Sequence, residues 1–352
     1  MRTGNTVSHS TSRRQFLLGA FGVALAWPLS SRAQGRQFTG REVVSSSFGG
    51  AGQEALQKTV FDWFNAQTGG RATQVPLLSA QAFARMRAEV ANPQIDMFMY
   101  SGGQEEIAKA EGLTQPIAAG QHWDKIPAGL RDPDRHWITW GVISEGILYR
   151  TDKIKEAPTS YKDFLKEEYK GHVAFPHVTN GYGTDFLVML ARAFGGGEAN
   201  IDPGFQALAK LAPDATIFRA PTDVQNLFAQ GDTWIMPYDS ASAVRTSRMG
   251  LPIGFATPSE GAPMVLLTAT IAKNSKNADM ASVLIDRMLS PESQVHIAQE
   301  VVWGPSNPDV QLPPDLAKFF PRIDQLARLD RDKINASRAA WTDRWNREIA
   351  KG

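Results

Sequence analysis

A unit of strand, glycine-bearing turn and helix recurs three times between Arg41 and Gly112, and this recurrence constrains the fold more than any other feature of the chain. "REVVSSSF" (41–48) reads as a strand ending in the turn "GGAG" (49–52). "QEALQKTVFDWFNAQTG" then places Leu56, Val60, Phe61 and Phe64 on one helical face and closes at Gly69. "RATQVPLL" predicts a second strand, and "SAQAFARMRAEVAN" a helix capped by Ser79. "QIDMFMYSGG" (94–103) is a compact apolar strand that leads into the helix "QEEIAKAEG". Repetition of such units argues for an α/β fold with parallel strands.

Two longer apolar segments, "WITWGVISEGILYRTDKI" (137–154) and "MVLLTATIAKNSKN" (264–277), lack helical period and read as strands that cross between lobes. A second α/β block lies between them, with a helix over "NGYGTDFLVMLARAFGGG" and a helix, strand and helix over "APTDVQNLFAQGDTWIMPYDSASAVRTSRMG". Two α/β blocks joined by two crossings predict two lobes with a cleft between them, lined by strand ends and helix N-termini.

The chain begins with an export layout. Arg13 and Arg14 precede a twelve-residue apolar run from Phe16 to Trp27, and Ser31-Arg32-Ala33 offers a small-residue cleavage site. The run is too short for a bilayer core, which needs about twenty residues. "SRRQFL" looks like the twin-arginine type, so residues 1–33 are expected to be a twin-arginine signal peptide and the remainder periplasmic. Loss of Arg2, Arg13, Arg14 and Arg32 would leave 33 basic against 36 acidic residues, which suggests neither a nucleic-acid footprint nor a polybasic membrane patch. With no cysteine, such a protein relies on its core rather than on disulfides.

Catalytic signatures are missing. "VISEG" lacks the first glycine of a nucleophile elbow, no phosphate-binding Gly-x4-Gly-Lys loop occurs, and there is no cysteine nucleophile. His172 and His177 flank Pro176 at a spacing without metal-site precedent. No enzyme activity, cofactor or metal is expected.

The phrases "IDMFMYSGGQEEIAKAEGLTQPI", "TSYKDFLKEEYKGHVAFP", "VQNLFAQGDTWI", "PSEGAP…IAKNSKN" and "MLSPESQVHIAQEVVWGPSNP" occur in an order that resembles the extracellular solute-binding proteins of bacterial ABC importers. The likeness is to the group of spermidine/putrescine, iron(III), thiamine and phosphonate receptors. It implies a two-lobed type II periplasmic binding protein fold, hinged at the two crossing strands. Lobe one would hold residues 40–145 plus 268–311, and lobe two 146–267 plus 312–352. The implied protein is a monomeric receptor that captures a small solute by closure and docks on an inner-membrane permease; a periplasmic ligand sensor is the alternative use of the same cleft.

The resemblance places Phe48, Gly49 and Gly50 at the end of the first strand and Tyr100 and Ser101 at the end of the third, and matches Trp303 to a cleft aromatic, with hinge or core packing as its alternative. The glycines would expose backbone N–H groups to an anion. Asn180, Gly183 and Thr184 open the first helix of lobe two, where the dipole favours a carboxylate or phosphonate, although Asn180 or Thr184 can equally cap that helix. Tyr238, Asp239 and Ser240 follow a strand; Asp239 would hold an amine or cap the next helix. Arg219 could grip a carboxylate or phosphonate in bidentate fashion, or be solvated.

Polyamine receptors of the group carry a Trp-x-Asp pair after the Glu-Gly turn. Counting from Glu260-Gly261, the equivalent residues here are Val265 and Leu267, and the adjacent tyrosines of iron receptors are missing because Asp239 follows Tyr238. An anionic or zwitterionic solute is therefore expected, with a polyamine as the alternative kept open by Asp239 and Glu145.

Overall fold

The computed structural model describes Met1 and residues 37–101, 103–219 and 223–350. Apart from Met1, the expected signal segment lies outside these residues.

Strand β1 (Glu42–Ser47) is followed by helix α1 (Gly50–Leu56), a π-helical turn over Gln57–Phe61 and α2 (Asp62–Thr68). The helical run begins earlier than predicted, because Gly50, Ala51 and Gly52 join it instead of forming a turn, and it closes where predicted. Leu56, Val60, Phe61 and Phe64 are all buried, and Gly69 ends it in the left-handed region with φ 72°. Next come β2 (Arg71–Pro76), α3 (Ser79–Ala88), β3 (Met97–Tyr100), α4 (Gln104–Ala110), β4 (Thr114–Gln115) and the long strand β5 (Trp137–Arg150). Ser79 does not cap α3. The cap position falls on Leu78, and the Ser79 hydroxyl instead accepts from the Ser101 amide at 3.1 Å.

The second block holds β6 (Ala174–Pro176), α5 (Gly181–Ala193), α6 (Asp202–Leu211), β7 (Thr216–Phe218), α7 (Asp223–Gln230), β8 (Ile235–Asp239), α8 (Ser240–Arg248) and β9 (Ile253–Ala256). The chain returns through β10 (Ala262–Ala272), α9 (Ala278–Met288), α10 (Pro291–Val301) and α11 (Pro314–Ala317), then ends with β11 (Leu326–Ala327) and α12 (Arg331–Glu348).

One sheet runs through both blocks in the order β2-β1-β3-β10-β5-β8. β1 pairs in parallel with β2 and β3, but β10 is antiparallel to both β3 and β5, so the sheet is mixed rather than parallel. The first half of β5 lies against β10, and its second half against β8 and β9. β5 therefore belongs to both halves of the molecule. A register shift at Leu267/Thr268 leaves Trp140 as the extra residue between the pairs Thr139–Thr268 and Gly141–Leu267. Gly146 is required where β9 closes on β5, because a Cβ there would lie 2.7 Å from the Ala256 carbonyl oxygen.

One core packs α1, α2 and α9 on the first half of the sheet, centred on Val60, Phe61, Phe64 and Leu284. A second surrounds α5 with Phe164, Phe175, Phe186 and Phe205, and α12 joins it through Ile334, Trp341 and Trp345. A third ties β8 and α8 to the ends of α10 and α11 through Tyr238, Val244, Ala298 and Phe319.

Candidate functional site

The predicted residues gather into two groups along β5, separated by five residues, or about 15 Å of strand. The first is aromatic. Phe48 stacks on Trp140 at 6.5 Å between ring centroids and meets Trp303 edge-on at 6.0 Å, while Trp140 and Trp303 meet at 5.7 Å. The bulge in β5 turns Trp140 towards this cluster. Trp303 fits because Gly52 lacks a side chain: a Cβ on Gly52 would lie 2.2 Å from the indole Cη2. Beside the cluster, Gly49 and Gly50 have φ of 77° and 56°, and no side chain caps the helix that starts there. The first-turn amides after Phe48 thus have no side-chain cap.

The second group is charged and lies where β5 meets β8 and α5. Glu145 and Asp239 face each other in the ladder, each about 5% exposed. Asp185, on α5, is likewise buried and takes both prongs of Arg331 from α12, at 2.5 and 2.8 Å. Burial pushes the Glu145 carboxyl well above the ordinary carboxylate range; the neighbouring charge of Asp185 adds to this, and Arg331 offsets it in part. Asp239 accepts from the Ser242 amide at 2.6 Å, capping α8, and Arg245 stands 3.8 Å away. Asp239 is thus a cap whose second oxygen is uncommitted to that bond.

Tyr182 flanks this group, and Tyr238, one residue before Asp239 on β8, rises from the opposite face of that strand. The rings of Tyr182 and Tyr238 lie 4.4 Å apart. Burial, followed by the charge of Asp239, pushes Tyr238 up to about 12 and raises Tyr182 as well. The Tyr238 hydroxyl is buried and lacks a well-formed hydrogen bond, although the Asn180 side chain is close.

The remaining predicted residues have specific places. Asn180 caps α5 by accepting from the Tyr182 amide at 3.0 Å, and its amide nitrogen donates to the Arg219 carbonyl at 3.4 Å. The Thr184 hydroxyl is buried and donates to the Val178 carbonyl, with Arg338 donating to it. Gly183 allows close packing, since a Cβ there would sit 2.3 Å from the His177 carbonyl oxygen. Ser240 is buried and bonds the Ser144 hydroxyl at 3.2 Å. Arg219 is exposed, and its charge helps burial depress the basicity of His177. Tyr100 is fully buried, with its hydroxyl on the Met86 sulfur and its ring between Phe83 and Phe98, so it meets the core of the first block rather than the groups described above. Ser101 is half-buried and bonded to Ser79.

Sequence reasoning left Trp140, Asp185 and Arg331 out. Trp140 is placed by a bulge, and Asp185 and Arg331 meet only because the tail folds back. A separate cavity of about 760 Å³ opens between β5 and the 304–326 segment, lined by Val142, Ser144, Asn307, Phe320 and Ile323. None of the predicted site residues lines it. Ser144 and Glu145 are successive strand residues and point to opposite faces, so this cavity lies across β5 from the charged group.

Two groups of unlike chemistry lie along a strand shared by both halves of the molecule. The family model for bacterial extracellular solute-binding proteins matches residues 90–337. The chain belongs to that family. The spermidine/putrescine-binding periplasmic protein of Escherichia coli is 25% identical over 174 residues, covering 48% of each chain. Among solved structures, a protein from Bordetella parapertussis described as an extracellular solute-binding protein is similar at a TM-score of 0.81 and 22% identity, covering 88% of this chain and 99% of the other. A GABA receptor is similar at a TM-score of 0.68 and 18% identity, covering 89% and 98%. The fold of the receptor is two-lobed, and members of the family bind solutes rather than catalyse reactions. No helix among its described residues is long and apolar enough to cross a membrane.

Proposed function

We propose that the receptor works in the periplasm as a monomer, capturing a small zwitterionic solute between its lobes and delivering it to an ABC permease of the inner membrane. The lobes are residues 40–145 plus 268–311 and 146–267 plus 312–352, and they close about β5 and β10. What supports the choice of solute is the presence of two unlike groups beside the shared strand. Uncapped amides at 49–52 suit a carboxylate or phosphonate. At the other end, the buried carboxylates Glu145 and Asp239 outnumber the cations available to them. Arg219, exposed beside Asn180, would add a donor for an acidic group of the solute. The likeness to a GABA receptor supports a solute bearing both an acid and an amine.

A polyamine is the second reading, favoured by the Escherichia coli relative. Against it, Val265 pairs with Ile143 and Leu267 is buried against Gly141, so neither stands in for the aromatic and the aspartate of polyamine receptors. A thermal-shift screen decides between these readings. Its panel sets amino acids and aminophosphonates against dicarboxylates, polyamines and thiamine. A ligand at a hundred times its Kd adds about 2.7 kcal/mol, or several degrees. A rise with amino acids or aminophosphonates is expected. A rise with spermidine or putrescine alone would replace the zwitterion with a polyamine.

A further inference from the structure

We propose that the cavity of about 760 Å³ behind β5 is a second binding site, for a small, neutral and largely apolar molecule, and that its occupancy opposes capture of the solute on the other face of the strand. The opposition rests on the proposed closure of the lobes; the site itself does not.

The cavity exists because the chain straps the back of the hinge. Gly304 bridges to Val142 on β5 through hydrogen bonds of 2.8 and 2.7 Å, and Leu326 pairs with Ala262 on β10. The segment between them is thus pinned to both crossing strands, and it spans the face from which Val142 and Ser144 rise. Its middle is held elsewhere and cannot sink onto that face. Leu316 and Phe319 are buried with Tyr238 and Val244. The buried Asn307 donates from its backbone to the Gln294 side chain and from its side chain to the Leu289 carbonyl. Pro127, Pro305, Pro308 and Pro321 stiffen the wall. A wall so framed is ordered before any guest arrives, which lowers the cost of binding.

The lining selects the guest. Small-molecule sites enclose roughly 300–1,000 Å³, and this cavity falls within that range. Val142, Val310, Leu312, Phe320, Ile323 and Leu326 make it mostly apolar. The charged residues that line it, Arg322 and Asp324, are largely exposed and pair with each other at 2.5 Å, so they leave no net charge to hold an ion. Asn307 is committed to its own partners. Ser144 is buried and donates to Ser240 at 3.2 Å, and its oxygen keeps a lone pair for one donor on the guest.

The walls belong to different lobes. Val142, Ser144 and Asn307 fall in the first, and Leu312, Phe320 and Ile323 in the second. Glu145 rises from the opposite face of β5 to Ser144. Closure onto the face of Glu145 narrows that side of the hinge and widens the other, so it parts the walls of the cavity. A guest that touches both walls is then held less well by the closed receptor. The coupling is reciprocal, so the guest weakens the solute as much as the solute weakens the guest.

The experiment titrates the receptor with N-phenyl-1-naphthylamine, a neutral aromatic probe whose emission rises in apolar surroundings. Saturable enhancement at about one probe per receptor is expected. Ala317→Trp and Gln311→Trp each bring an indole into the cavity from an exposed position of its wall. Both should melt near the parent and bind the probe at least about tenfold more weakly. Unsaturable or absent binding, or binding unchanged in both folded variants, overturns the site. The titration is then repeated with whichever solute of the thermal-shift panel raises the melting temperature most. Solute and probe should each weaken the other by the same factor, about fivefold or more. Independent or mutually tightened binding overturns the opposition. If that solute is a polyamine, the zwitterion reading fails, and the second site is still decided by the same titrations.

Discussion

Glu145 and Asp239 stand opposite each other on neighbouring strands, one on the strand that joins the two lobes and the other at the mouth of α8. Like charges directly opposite in a ladder are destabilising unless something else resides between them or a proton intervenes. This pair sits at the proposed cleft.

The role of Asp239 separates from its role as a cap by substitution. Asn caps a helix as well as Asp does. Asp239→Asn should therefore melt within a degree or two of the parent while binding an amine-bearing solute at least tenfold more weakly by calorimetry. Arg219→Ala should also weaken binding at least tenfold, with no change in melting temperature because the side chain is exposed.

Stability should depend on pH through Glu145. Its carboxyl titrates higher in the folded chain than in the unfolded one, so the folded state holds a proton that the unfolded state has released. Unfolding then releases a proton, and stability falls as pH rises from the ordinary carboxylate range to the raised native value. Glu145→Gln carries no such charge. Urea titrations should show the variant gaining on the parent as pH rises through that window, with the two most alike in acid.

Arg331 anchors the tail to α5. Arg331→Ala leaves Asp185 buried beside Glu145 without its counter-charge, and a loss of about 2–4 kcal/mol is expected at neutral pH. The loss should shrink in acid, where the stranded carboxylates take up protons. Chemical denaturation at two pH values measures both.

The indole of Trp303 depends on the missing side chain of Gly52. Gly52→Ala drives a methyl group into the ring, so the indole must leave its place against Phe48 and Trp140. A stability loss of about 1–3 kcal/mol is expected, with tryptophan emission moved to the red and weaker solute binding.

Much of the fold is legible in the sequence because local patterns and tertiary packing agree. The helical face of Leu56, Val60, Phe61 and Phe64 is buried as its spacing predicts, and the apolar segment beginning "WITWGVISEG" is one unbroken strand. What local pattern cannot show is pairing at a distance. The direction of β10 against β3 and β5 depends on where the chain returns, so the parallel sheet predicted from βα repeats is in fact mixed. The site divides in the same way. Asn180 and Asp239 announce themselves by preceding helices. The meeting of Asp185 with Arg331 needs the tail to fold back onto α5, and the placement of Trp140 needs a bulge set by the register of another strand. Tyr100 shows the converse: a polar-tipped residue at a strand end, which the core nevertheless encloses.

The central claim is capture by closure of two lobes about β5 and β10. Small-angle X-ray scattering of the receptor, with and without the solute that raises its melting temperature most, tests it most directly. The account predicts a smaller radius of gyration on saturation, and no contraction in Asp239→Asn at the same solute concentration. Saturation by a tight-binding solute with no change in the scattering profile would contradict it.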